Sequence, residues 1–330
     1  MTHYARPLAM IVADLPPWMI RLYAGVFGLL IGSFLNVVIA RLPRGESVVR
    51  PGSHCVCGKP IKPWDNIPIV SWLLLRARAR CCGAPISIRY PIVEAIGGAV
   101  VLAIFEVEVV QQMGAAHALP LLARALVDSL LALALVAAAF IDLDHMYLPD
   151  PITMGGTVLA IASAGLRPEQ GYVASLIGAA AGFVGIWLPF IVGWRWLRGQ
   201  AGMGLGDAKL VALFGAWLGG AGIFFSLFAA SFQGIAATLV VMARHGEVKE
   251  PESVVKERAD AIAAGEPLDD DDPLAHAPES GLGKARIPFG PFLILGALEF
   301  LLLRSSLLLP LMNAFALMGE GARAMIFERR

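Results

Sequence analysis

The feature that most constrains this chain is its succession of apolar runs, at approximately residues 20–40, 92–110, 120–141, 152–167, 173–194, 208–219, 220–242 and 287–310. A hydrocarbon layer about 30 Å thick is crossed by an α-helix of about 20 residues. Most of the runs approach that length, and 152–167 and 208–219 are the shortest. Hydrocarbon cannot pair free backbone groups, so only helices and closed barrels cross it. A barrel would read as alternating strands of roughly ten residues. The runs here are instead continuous blocks rich in Leu, Ala and Gly. The expectation is an all-α polytopic membrane protein with about eight transmembrane helices, embedded in a lipid bilayer. Composition agrees: 57% of residues are hydrophobic, 16% are charged and the mean hydropathy is +0.70, well outside the soluble range. A net charge of zero argues against a nucleic-acid partner, which would need a basic face to displace counterions.

Charge distribution orients the chain. The first run is long, lacks a small-residue cleavage site and is followed by "ARLPRGESVVR", so it reads as an uncleaved anchor with the N-terminus outside. The next segment holds Arg44, Arg50, Lys59, Lys62, Arg76, Arg78, Arg80 and Arg89 against Glu46 and Asp65, whereas "QQMGAAHA" after the second run has no Lys or Arg. The basic segment is therefore expected in the cytoplasm. Counting onward puts "DLDHMYLPDP" and "WRWLRGQAGMGLGDAK" on the same side, the second with Arg195, Arg198 and Lys209. A further polar stretch, 244–286, reads as a solvated loop. Its centre, "VVKERADAIAA", suits one short amphipathic turn of helix, and "LDDDDPLAHAPES" is expected to be mobile. No internal repeat is evident.

Two acids then stand out. Asp142 ends the third run, and Asp207 opens the sixth behind Gly202, Gly204 and Gly206. By the topology above both lie at the cytoplasmic boundary on different helices. Two carboxylates close together share one proton, so one can act as base on a water while its partner polarises a carbonyl. That is peptide hydrolysis of the aspartic type. The glycines would let an extended substrate backbone approach Asp207. Taken singly, Asp207 could cap its helix and Asp142 could be a helix end meeting water; on one face together, the catalytic reading is favoured. Asp150 before Pro151 reads as an N-cap. Asp128 is placed to pair with Arg124 four residues earlier, on the face opposite Asp142, and Lys209 either snorkels or acts on Asp207.

All four cysteines fall in the basic segment: Cys55, Cys57, Cys81 and Cys82. Two clustered pairs in a reducing compartment suggest a tetrahedral structural zinc site, with free thiols as the alternative. C-x-C and C-C chelate one ion less comfortably than C-x-x-C, and His54 is a substitute ligand.

The strings "GSFLNVVIARLP", "NIPIVSWLLLRARARC", "ISIRYPIVEA", "FIDLDHMYLPD", "GMGLGDAKL" and "RIPFGPFLILGA" resemble, in order, the motifs of bacterial type IV prepilin peptidases. These are GxGD-type aspartyl proteases that also methylate the new N-terminus. The resemblance implies Asp142 and Asp207 as the catalytic pair, in the bacterial inner membrane and facing the cytoplasm. It implies prepilin or pseudopilin substrates, association with type IV pilus or type II secretion machinery, and S-adenosylmethionine as methyl donor. Methylation rests on the likeness alone, since no soluble-type glycine-rich cofactor loop is present; Tyr90 and Glu94 are where it is expected. The family commonly has C-x-x-C twice, and here His54 and Ala79 stand at the first position of each pair.

The chain thus divides into 1–41 (N-terminal segment and first helix), 42–91 (cytoplasmic Cys-containing domain, zinc- and methyltransferase-associated), 92–243 (membrane peptidase core), 244–286 (acidic loop) and 287–330 (C-terminal transmembrane segment). Two other classes compete: an ion or metal transporter, against which no second tier of acids or histidines is seen through the spans, and a non-catalytic pilus or secretion scaffold.

Overall fold

The computed structural model describes residues 15–113, 118–167, 169–199, 202–245, 252–264 and 288–304. Among them the chain is helical, with no strand beyond two isolated bridges. The long helices are α1 (Pro17–Arg41), α3 (Arg89–Glu108), α4 (Ala118–His145), α5 (Asp150–Ala162), α6 (Gly171–Ile186), α8 (Leu205–His245), α9 (Glu252–Ala264) and α10 (Gly290–Leu303); α2 (Val70–Leu74) and α7 (Trp194–Arg198) are single turns. Proline occupies the first turn of α1, α5 and α10, where its missing N–H costs no helical bond.

Where it is described, each of the eight apolar runs lies largely on helix. By length and composition, however, four helices among the described residues can cross a membrane: Pro17–Arg44, Leu119–His145, Gly171–Arg198 and Leu205–Arg244, with Gly290–Leu303 a shorter apolar helix. The difference from eight has local causes. Helix α5 stops at Ala162. The runs 208–219 and 220–242 form one element broken at Gly219, whose φ of 74° and ψ of −174° are non-helical. That break frees carbonyls of the preceding turn. Gln170 Nε2 donates to Gly215 O (3.1 Å) and Ala216 O (2.9 Å), and Ser175 Oγ donates to Ala216 O (2.7 Å).

Small residues set the packing. A methyl group at Gly28 would lie 2.6 Å from the Gly97 carbonyl oxygen, and one at Gly32 would lie 2.9 Å from Glu94 Cα, so α1 and α3 run antiparallel with their backbones in contact. The same holds for α6 and α8, where Gly178 faces Gly215 and Gly182 faces Val211 with no room for a side chain. In lipid, where apolar side chains gain little by leaving the solvent, such close approach is what holds helices together. The first half of α8 is enclosed all round, with Leu210, Val211, Leu213, Phe214, Ala216 and Trp217 buried. Helix α1 instead turns Trp18, Leu22, Tyr23, Phe27 and Phe34 outward, as a lipid-facing surface does.

One expectation is overturned. A second tier of acids does exist, at the end of the bundle far from Asp142. Glu108, Asp128 and Arg167 are buried there, with Arg124 half-buried among them. Arg124 lies 3.4 Å from Glu108, 3.7 Å from Asp128 and 3.0 Å from Glu169; Arg167 lies 3.8 Å from Asp128, and Arg304 lies 2.6 Å from Glu169. Trp217 Nε1 donates to Asp128 at 2.7 Å. Three acids face three arginines, so the cluster is balanced in charge, as burial in low dielectric demands. The sequence pattern missed it because the partners come from four helices and one loop. Along α4 it stands roughly 27 Å from Asp142, at 1.5 Å per residue.

Between α1 and α3 the basic segment has little regular structure. It is held by Arg41 donating to Ser47 O and Pro51 O, Ser71 Oγ to Trp64 O, Trp72 Nε1 to Ile86 O, and Arg80 to Asp65. The polar stretch 244–286 contains helix α9, longer than the single turn expected, with Val254 and Arg258 buried; "LDDDDPLAHAPES" lies outside the described residues.

Candidate active site

Helix α4 ends in "FIDLDH", and Asp142 faces inward at 5% exposure. The chain then reverses at Met146, which adopts φ 54°, and leads through the buried Leu148 and Pro149 into α5. On the far side of Leu148, α8 starts at Leu205 with Asp207 in its first turn. Asp207 N–H donates to Gly204 O at 3.1 Å, and the Asp207 carboxylate folds back beside Gly204, its Oδ2 3.6 Å from where a Cβ would stand there. An acid in the first turn suits the positive end of a helix, and this placement leaves the carboxylate at the mouth of α8.

The third side is the start of α10. The Gly290 backbone lies directly against the Asp142 carboxylate, and a helix start suits negative charge there. A Cβ at Gly290 would lie 2.5 Å from Asp142 Oδ2 and 3.2 Å from Leu148 Cδ2; one at Gly206 would lie 3.3 Å from Leu148 Cβ. Leu148 therefore packs between the segments that carry the two acids. The charges of Asp142 and Asp207 act on one another. The structure so brings together two carboxylates 65 positions apart in sequence, from helices that start and end at one face.

The three glycines are not equivalent. Gly202 is packed against the Trp194 ring and Gly206 against Leu148, whereas beside Gly204 the nearest atom is Asp207 Oδ2 at 3.6 Å. Of the three, Gly204 alone would meet its neighbours at ordinary contact distance, and it is exposed beside the acid. The flanking charges also differ from expectation. The cap of α5 is Pro149, and Asp150 is its first residue. Lys209 Nζ is 2.6 Å from Asp150 Oδ1, so it neither snorkels freely nor attends to Asp207.

The four cysteines converge. Cys55 and Cys57 sit in a tight loop closed by Gly58 N–H to Cys55 O (2.8 Å), and Cys81 and Cys82 in a second closed by Gly83 N–H to Ala79 O (2.8 Å). Gly58 (φ 79°) and Gly83 (φ 70°) supply the left-handed residue at each turn. Cys55 Sγ is 3.5 Å from Cys82 Sγ, Cys57 Sγ is 3.4 Å from Cys81 Sγ, and all four sulfurs lie within 4.8 Å of one another. Tetrahedral zinc with bonds of about 2.3 Å needs sulfurs about 3.8 Å apart, so the donor set fits that ion. His54 is outside the group, its Nδ1 lying 3.2 Å from Gly52 O. The backbone N–H of Cys57 and the neighbouring thiols pull the Cys55 thiol down to about 7, while hydrogen bonds with Cys55 and Cys57 push Cys81 up to about 12.

Beside the cysteines opens a cavity of about 700 Å³ bordered by Cys81, Asn66, Trp72, Tyr90 and Glu94, a volume typical of sites for small organic ligands. Tyr90 is exposed and Glu94 is buried. Glu94 Oε2 accepts from Ile69 N–H at 2.7 Å. Ile69 has φ 60°, a costly conformation for a β-branched residue, and Glu94 helps hold it there. Gly290, Leu148 and Arg89 went unassigned from sequence, although each lies in a motif quoted above; what they touch is visible only once α3, α4 and α10 are packed.

Comparison with known proteins matches the bacterial peptidase A24 N-terminal domain over residues 26–107 and the type IV leader peptidase family over residues 129–239. A prepilin leader peptidase/N-methyltransferase of Myxococcus xanthus is 37% identical over 308 residues, covering 84% of this chain and 88% of the relative. Proteins of the same description from Neisseria gonorrhoeae (37% identical, 68% of this chain and 82% of the relative) and Klebsiella pneumoniae (41%, 58% and 82%) are similar. No solved structure gives a significant match. The chain is an enzyme and belongs to the type IV leader peptidase family.

Proposed function

We propose that this enzyme is a membrane aspartyl endopeptidase that removes the basic leader of type IV prepilins or pseudopilins, with Asp142 and Asp207 as its catalytic pair. One observation carries the reading: the two acids, brought from separate helices, converge about Leu148, with Asp142 buried and Gly204 exposed beside Asp207. The pair holds one proton. Its ionised member takes a proton from water as the oxygen attacks the scissile carbonyl carbon, and its protonated member donates to the carbonyl oxygen. Collapse of the tetrahedral adduct breaks the C–N bond; the departing amine receives the proton taken from water, and a hydroxyl of the adduct returns its proton to the other carboxylate as the carbonyl reforms, which restores the singly protonated pair.

The proposal extends to the cytoplasmic side of the bacterial inner membrane and to N-methylation of the new terminus, because the relatives are described as N-methyltransferases. The cavity bordered by Trp72, Tyr90 and Glu94 has the size to hold S-adenosylmethionine, which when bound supplies the methyl group. Cys55, Cys57, Cys81 and Cys82 would hold zinc in a closed structural site that ties together a segment with little core of its own.

The test is co-expression with a prepilin and mass measurement of the product. Wild type should yield the shortened pilin, with about 14 Da added if the methyl group is transferred. Asp142→Asn and Asp207→Asn should each leave the precursor uncut. Normal cleavage by either variant would refute the assignment, and a transporter or scaffold would leave processing untouched.

A further inference from the structure

Arg89 is the first residue of α3 and grips the last turns of α4. Its Nη1 donates to Asp144 Oδ1 at 3.0 Å, its Nη2 lies 2.6 Å from Asp144 Oδ2, and Nη2 also donates to Phe140 O at 3.3 Å. The guanidinium stacks on the Phe140 ring, 5.1 Å from its centroid. Phe140 and Asp144 are four residues apart and so share one helix face, whereas Asp142, two residues from each, points to the opposite face. Arg89 thus holds the back of the turn whose front carries Asp142.

We infer that Arg89 is a positioning residue of the peptidase site: by clamping Phe140 and Asp144 it fixes the rotation of the helix end and hence the direction in which Asp142 points. The inference rests on the peptidase reading of Asp142. The ion pair is about one-third exposed on both sides (36% and 32%), so it adds little to stability. Its contribution lies in geometry, since a planar fork holding a carboxylate at two points and stacking on a ring permits little rotation. The clamp is itself anchored. Ser87 Oγ accepts from Arg89 N–H at 3.2 Å, and Asn36 Nδ2 of α1 donates to Tyr90 O at 3.3 Å. Tyr90 and Glu94, one and five residues beyond Arg89, border the cytoplasmic cavity. The element that orients Asp142 is therefore the same one that emerges from the cysteine-bearing segment.

The experiment measures prepilin cleavage by the full-length enzyme in membranes, as kcat at saturating substrate across about pH 5 to 9, for wild type, Arg89→Met, Arg89→Lys and Asp142→Asn. Asp142 lies against Gly290 of α10, with Leu148 between it and the start of α8 that carries Asp207, so rotating it changes its surroundings. Arg89→Met should lower kcat about 10- to 100-fold and displace the normalised pH profile by about half a unit or more. Arg89→Lys keeps the charge without the fork and should recover part of both. A rate within twofold of wild type, or a slower rate with the profile unmoved, would overturn the inference, the second outcome marking a merely structural role. Should Arg89→Met fail to accumulate, Arg89→Lys decides by the same two criteria. Asp142→Asn separates the layers: if it is inactive while Arg89→Met is normal, only the positioning role falls, and if it cleaves normally, the peptidase reading falls and takes this inference with it.

Discussion

Gly290→Ala puts the geometry around Asp142 under the most direct strain. The new Cβ would sit 2.5 Å from Asp142 Oδ2 and 3.2 Å from its Cγ. Ordinary contact begins at 3.4 Å, so the carboxylate must retreat by roughly 0.9 Å in an interior packed too densely to absorb it. The Leu148 side chain, 3.2 Å from the same methyl, blocks one direction of escape. A misplacement of about 1 Å costs about 100-fold in rate, equivalent to about 2.7 kcal/mol in the barrier. Pro291 disfavours helical backbone in an alanine before it, so a modest stability cost is also expected, and a thermal unfolding scan separates it from the catalytic effect. The assay is single-turnover cleavage of prepilin, with Gly155→Ala as control, since nothing lies within 4 Å of a Cβ there. If Gly290→Ala cleaves within twofold of wild type, the arrangement of Asp142 against α10 is not the reactive one.

Gly204→Ala tests the open side of the site. The free protein accommodates it at ordinary contact distance from Asp207, so folding should be unchanged while kcat/KM falls about 10-fold, the signature of a substrate backbone meeting the new methyl. In metal-stripped protein, Cys55, with its thiol pulled down to about 7, should gain reactivity as pH rises through 7 and be alkylated before Cys81, which stays protonated until about 12; peptide mapping after brief maleimide treatment checks the order, and added zinc should protect both. Asp128→Ala leaves Arg167 without its carboxylate and Trp217 Nε1 without its acceptor and should destabilise by about 3–5 kcal/mol, seen as a lowered Tm in detergent.

Much of this arrangement was legible in the sequence because its signals are local. Apolar runs mark the helices, and even the division between 208–219 and 220–242 falls where Gly219 breaks α8. Asp142 and Asp207 could be picked out because each interrupts an apolar run at the same face. The rest was not legible because it depends on residues brought together by packing. The pattern places Asp128 with Arg124, but the addition of Glu108, Arg167, Glu169 and Arg304 follows only from the convergence of helix ends. Likewise the glycine motif predicts open space at three positions, whereas Trp194 and Leu148 fill two of them. The cysteine spacing looked awkward for one ion, yet two loops of similar form bring the sulfurs to suitable separations.

The contacts of Gly28 with Gly97 and of Gly178 with Gly215 weld α1 to α3 and α6 to α8 as two stiff planks. Neither can be prised apart without losing backbone contact along its length. A helix arriving from the bilayer would therefore pass along a seam between the two pairs more readily than through either of them.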